Sequence, residues 1–138
     1  FCRAAAEPAP PFLLVDLPGF GYARGGDKTR EEFDALAAAY FGARIHHPRF
    51  RGALVLVDSR HPGLDSDRSA WNWLGRLGVE KYAVATKVDK LTRAERQRHL
   101  GELERLYSGP VTPVSAETGE GLDELWKKIA SLTTTTRP

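Results

Sequence analysis

Apolar residues along this chain fall into short unbroken runs that alternate with stretches of helical spacing. Residues 12–15 (FLLV) form the first run and lead into Asp16, so they read as a buried strand. Residues 53–57 (ALVLV) form a second run that ends in Asp58, and continuous runs of this kind suit strands covered on both faces of a parallel sheet. Residues 82–85 predict a third strand and residues 111–114 a fourth. Between them, Phe33, Leu36, Ala37, Tyr40 and Phe41 share one helical face, in a helix expected to end near Gly42 with Pro48 beyond it. Ala70, Trp73, Leu74 and Leu77 predict a second helix, started by Asp65, Ser66 or Asp67 as cap and stopped at Gly78. Thr92 to Glu95 fits a capping box, and Leu100, Leu103 and Tyr107 line the inner face of the helix it opens. Leu122, Leu125, Trp126 and Ile129 mark the last helix. Upstream, Phe1, Cys2 and Arg3 read as a strand end, residues 4–11 as a Pro/Ala-rich loop, and Gly25, Gly26 and Asp27 as a flexible link.

Strands and helices alternate, which predicts an α/β fold with a mostly parallel sheet and no internal repeat. Ligands of such sheets bind beyond the carboxyl ends of the strands. Asp16, Asp58, residues 86–89 and residues 115–117 all follow a predicted strand, so one rim should gather them.

The bulk numbers narrow the class. With 138 residues the chain suits one domain, here residues 1–132, followed by a polar tail at 133–138. A hydrophobic share of 41% and a charged share of 28% are those of a globular domain. The net charge of +2 permits a nucleic-acid partner without arguing for one. A single cysteine, Cys2, excludes an internal disulfide and fits a reducing, cytoplasmic setting. No apolar run reaches the roughly 20 residues that span a bilayer, so no membrane role is expected. The chain begins at Phe1 and contains no Met, which leads us to expect a piece of a longer product.

Three short stretches carry chemistry. Asp16 to Ala23 (DLPGFGYA) places a carboxylate and glycine N–H groups after a strand, a common way to face a phosphate and its magnesium. Thr86 to Asp89 (TKVD) also follows a strand. A carboxylate in the plane of a purine accepts two hydrogen bonds from guanine N1 and N2, a donor pair adenine lacks, so discrimination can reach on the order of 10⁴-fold. The Lys87 stem can lie over the base. Ser115, Ala116 and Glu117 can point N–H groups at guanine O6, with Gly119 and Gly121 allowing a tight loop. Each stretch alone is also explained by an ordinary turn. Their order and spacing, with TKVD 70 residues after Asp16 and Ser115 26 residues after Asp89, are those of Ras-like GTPases.

The chain resembles the EngB (YihA/YsxC) group of bacterial GTPases. DLPGFGYA is similar to that group's DLPGYGYA, residues 57–67 (VDSRHPGLDSD) to its VDARHP stretch, and Trp73-Leu74 to its Trp-Leu pair, over residues 12–132. The resemblance implies a P-loop NTPase fold of the Ras-like type, a three-layer α/β/α sandwich. It implies a GTP/GDP switch with a role in large ribosomal subunit biogenesis and in cell division and septation. GTP contacts would come from Asp16, Leu17, Pro18 and Gly19, from Thr86, Lys87, Val88 and Asp89, and from Val114, Ser115 and Ala116. Asp16 would hold Mg²⁺ through a water, and Gly19 would sense the γ-phosphate. Phe20, Gly21, Tyr22 and Ala23 would belong to the second switch. Partners would be GTP or GDP and the large ribosomal subunit or its rRNA, with the protein a monomer.

Two departures qualify this. No GxxxxGK[ST] phosphate loop precedes Asp16, so the first strand, P-loop and first helix of the fold are missing from these 138 residues. The lost strand would lie between residues 12–15 and 53–57, leaving two apolar strand edges unpaired. Hydrolysis by this chain alone is therefore not expected, and a non-catalytic ribosome- or RNA-binding module without phosphate grip is the alternative. Phe20 stands where many Ras-like enzymes place a water-orienting glutamine, so no catalytic residue is assigned. His46, His47 and His61 lack metal-site spacing. Lys90, Arg49, Arg51, Arg93, Arg96 and Arg98 are candidates for RNA phosphates, diluted by Glu95, Glu102 and Glu104. Trp71, Trp73 and Trp126 read as packing residues.

Overall fold

The structure, a computed structural model, describes residues 12–17 and 26–134. Three parallel strands form its sheet in the order β1 (Ala53–Asp58), β2 (Lys81–Thr86), β3 (Val111–Pro113). Helix α1 (Gly26–Arg44) precedes the sheet, α2 (Asp65–Arg76) and α3 (Arg93–Leu106) cross over between strands, and α4 (Leu122–Thr134) closes the described chain. This is the α/β alternation that the hydrophobic pattern predicts.

Burial follows from each strand's place. Ala83, Val84 and Ala85 of the central strand β2 are all buried, as an unbroken apolar run requires. Strand β1 has one strand neighbour among the described residues, and its faces differ: Val55 and Val57 are buried while Leu56 is 63% exposed. Ala70 and Leu74 of α2, Leu103 of α3 and Tyr107 just beyond it are buried, and all but Ala70 join the cluster around Val57 and Ala85. Phe41 of α1 meets Trp73 edge-on, with ring centroids 5.4 Å apart.

Several local expectations are corrected. Residues 12–15 form no strand. A strand needs a neighbour's N–H and C=O groups, and residues 12–15 pair with none of the three strands, the outer edge of β1 staying open among the described residues. Leu13 is 92% exposed, and Leu14 and Val15 are exposed too, while the Phe12 ring lies 6.4 Å from that of Trp126 and Leu17 packs against the core. Gly26 and Asp27 open α1 instead of a flexible link, and the helix runs past Gly42 to Arg44. Leu36 points outward, and among the side chains described in α1 the buried ones are Ala37 and Phe41, with Tyr40 half-buried beside them. Helix α2 is capped at Leu64 without a side-chain hydrogen bond; Asp65 and Asp67 fall in its first turn, where carboxylates favour the helix dipole. That helix runs to Arg76 with Leu77 as its cap and stops at Gly78 (φ 69°), as its pattern predicts, whereas α4 extends through Thr134.

The Thr92–Glu95 capping box is present in full. The Thr92 hydroxyl accepts from the Glu95 N–H, and the Glu95 carboxylate accepts from the Thr92 N–H at 2.9 Å. Phe1 to Arg3, residues 4–11, Pro18, Gly19, Phe20, Gly21, Tyr22, Ala23 and Gly25 lie outside the described residues.

Candidate functional site

The carboxyl ends of the three strands form one rim held by backbone and side-chain hydrogen bonds. The β1–β2 ladder continues past the strands, with Ser59 N–H donating to Thr86 O at 3.0 Å. The Thr86 hydroxyl donates back to Val57 O at 3.0 Å, so Thr86 serves as a cross-strand tie. On the other side Val114 N–H donates to Ala85 O at 2.8 Å, and Val88 N–H to Val114 O at 3.3 Å. Val88 and Val114 are buried, which makes them packing anchors of the two loops. Between them Lys87 takes a left-handed backbone, φ 61°, and starts a 3-10 turn over Val88–Lys90. A positive φ in a long side chain is uncommon and collects at functional sites.

Asp89 sits in that turn and faces the loop after β3. The fully buried Ser115 hydroxyl donates to Asp89 Oδ1 at 2.6 Å and accepts from Thr118 N–H at 3.1 Å. Lys90 Nζ lies 3.1 Å from the other oxygen, Oδ2. The Ser115 hydrogen bond, then Lys90, lowers the Asp89 pKa below its ordinary 3.8, so the group is ionised and accepts only at neutral pH. Each oxygen keeps a further lone pair, which leaves the carboxylate able to accept from a ligand.

The loop after β3 is shaped by two glycines. Gly119 and Gly121 have φ near +80° and +75°, and a Cβ on Gly121 would collide with the Pro113 carbonyl. Ser115 N–H is already engaged with Glu120 O at 2.9 Å. The exposed Ala116 is thus better placed than Ser115 to offer an N–H to a ligand. Arg96 of α3 pairs with Glu120 and ties this loop to the helix that follows TKVD.

Asp58, at the end of β1, holds a cluster of its own. Its carboxylate accepts from Arg60 Nε at 3.0 Å and Nη2 at 2.7 Å, and from Lys87 Nζ at 2.9 Å. The Arg60 hydrogen bonds, against some burial, hold its pKa well below the carboxylate range, with Lys87 adding to them. His99 Nδ1 lies 2.8 Å from Ser59 O; a carbonyl only accepts, so Nδ1 carries the proton. By sequence Asp58 falls on the rim without a role, and no local pattern joins Arg96 to Glu120. The signal for Asp58 is an acid that ends an apolar run, as Asp16 does in the sequence.

Asp16 is exposed, Leu17 half-buried, and no hydrogen bond or ion pair among the described residues joins Asp16 to the rest of the rim. The described residues contain no group of three or more His, Cys, Asp or Glu able to hold a metal. A cleft of about 640 Å³ opens elsewhere, near Lys81, Tyr107 and Pro110 at the amino ends of β2 and β3, and takes no part in the rim. No described helix is long and apolar enough to cross a membrane.

Over 126 residues the chain is 35% identical to a protein named probable GTP-binding protein EngB from Exiguobacterium sp., a match covering 88% of this chain and 62% of that protein. The chain is a relative of the EngB proteins. An EngB protein of Gemmatimonas aurantiaca is 36% identical over 124 residues, covering 88% of this chain and 59% of its own length. The chain thus spans about three-fifths of the length of the curated EngB relatives it matches. No protein-family profile matches it. A crystal structure of a probable EngB GTP-binding protein superposes with a TM-score of 0.69 at 18% identity, over 86% of this chain and 76% of that one. Translation elongation factor SelB of Methanococcus maripaludis gives 0.60 at 21% identity, over 88% of this chain and 25% of its own. These two likenesses show that the chain shares the α/β fold of those proteins.

Proposed function

We propose that this chain carries the guanine-reading part of an EngB-type GTP-binding protein. The observation that supports it most is the Asp89 carboxylate, ionised and oriented by a buried hydroxyl at the carboxyl rim of a parallel sheet. A carboxylate so held accepts from guanine N1–H and N2–H, while adenine would leave it unpaired. Ala116 offers an N–H for guanine O6, and the Lys87 stem a surface for the ring. Thr86, Val88, Val114 and Ser115 shape the pocket rather than touch the base.

The longer protein would be a GTP/GDP switch, cytoplasmic and monomeric, acting in large ribosomal subunit biogenesis and in cell division. Mg²⁺ would arrive with the nucleotide. A single exposed carboxylate, Asp16, does not make a metal site by itself, and such ions are usually held by one or two carboxylates plus phosphate oxygens. Its chemistry there would be charge neutralisation on the phosphates. Pro18, Gly19 and the switch residues Phe20, Gly21, Tyr22 and Ala23 would face the same end of the nucleotide.

The test uses nucleosides, which need no phosphate cradle. Titrating the chain with guanosine should shift the backbone amide resonances of residues 86–89 and 115–117. Adenosine should leave them in place. Equal shifts with both nucleosides, or none with either, would sink this reading. GDP with Mg²⁺ should bind about as weakly as guanosine, because these residues supply no GxxxxGK[ST] loop.

A further inference from the structure

We propose that Asp58 is a positioning residue for the base site: it pins the Lys87 ammonium so that the lysine stem lies across the rim as the shelf on which the base rests. This rests on the reading of the site given above and adds to it a residue from a different strand.

The geometry is that of a strap. Asp58 and Thr86 are register partners at the ends of β1 and β2, so Lys87 emerges one residue beyond the last paired position. Its left-handed φ turns the side chain out of the strand path. The ammonium then reaches Asp58 Oδ2 at 2.9 Å, so the stem bridges the gap of roughly 5 Å between adjacent strands. Without an anchor a lysine stem samples many rotamers, and each contact made by it must pay to order them. Asp58 removes that disorder in advance. The carboxylate is itself immobilised, because Arg60 grips it through Nε, Nη2 and its own backbone N–H. The Asp58 side chain is 19% exposed and that of Lys87 52%, so the anchor sits deeper than the strap and leaves the outer side of the stem open to a ligand. Asp89, bound to Ser115 on the β3 side, is left to read the base edge.

A shelf and an edge reader have different signatures. Loss of the shelf weakens every purine that the site accepts by the same factor. Loss of the edge reader changes which purine is preferred.

The experiment is a nucleoside titration of the full 138-residue chain and six variants by amide resonance shifts. Asp58→Asn should weaken guanosine binding about threefold, the scale of a partly exposed ion pair. In an Asp89→Asn background it should weaken xanthosine binding by the same factor. Asp58→Glu, which keeps the charge, should recover most of the loss. Lys87→Met keeps a stem of similar length without the ammonium and should match Asp58→Asn, and combining the two should cost nothing more. Should Asp58→Asn lose the native amide pattern, Lys87→Met alone decides, since it leaves the Asp58–Arg60 pair intact. Wild-type affinity in Lys87→Met, or additive losses in the double variant, would overturn the strap while leaving the site reading in place. Absence of guanosine binding by the wild-type chain would remove the site reading and the strap together.

Discussion

At the scale of single residues, the rim depends on side chains that hold one another before any ligand arrives. Ser115 is buried and spends its hydroxyl on Asp89, and Asp58 spends its carboxylate on Arg60 and Lys87. Gly121 is as specific a requirement. Its φ of +75° is disfavoured for other residues, and a Cβ there would strike the Pro113 carbonyl. Gly121→Ala should therefore destabilise the chain by about 1–3 kcal/mol in urea unfolding and pull the Ser115 hydroxyl away from Asp89. A variant as stable as the wild type would mean that this loop has another conformation. TKVD and SAETGEG could be read from the sequence because each is a local string. The Asp58–Lys87 and Arg96–Glu120 pairs could not, because their members are 29 and 24 residues apart and meet only when the sheet forms.

At the scale of elements, local signals worked where the element is stabilised from within. The capping box that opens α3 needs only residues 92–95, and it is formed as its pattern predicts. Thr92→Ala should cost about 1 kcal/mol of stability, read by thermal or urea unfolding, and a cost near zero would show that α3 is held by its packing alone. Local signals failed where an element depends on a neighbour. Residues 12–15 have the composition of a strand, yet they form none, because composition does not bring a run beside a partner and these residues pair with none of the three strands. The outward turn of Leu36 has the same origin, since periodicity defines a helix face but not what covers it. The carboxyl ends of β1 and β2 were legible as apolar runs ending in Asp58 and Thr86, and those ends position the site.

At the scale of the whole molecule, the described chain leaves several large apolar side chains uncovered. Leu56 on the edge strand β1 and Leu13, Leu14 and Val15 are all exposed. Unpaired apolar edges of this kind template association. The 138-residue chain should self-associate as its concentration rises, seen as a growing mean mass in light scattering, and Leu56→Lys should reduce that growth. A constant monomer mass across concentrations would contradict this.

The central claim is that Asp89 reads guanine, and exchanging its carboxylate for an amide tests it most directly. Asp89→Asn keeps one acceptor for N1–H and places a donor where the second acceptor stood, which mismatches the guanine 2-amino group and suits the oxygen at position 2 of xanthine. Side-by-side titrations of the wild-type chain and Asp89→Asn with guanosine and xanthosine should show guanosine affinity falling at least about tenfold and xanthosine becoming the preferred ligand. An unchanged preference for guanosine in Asp89→Asn would contradict the account.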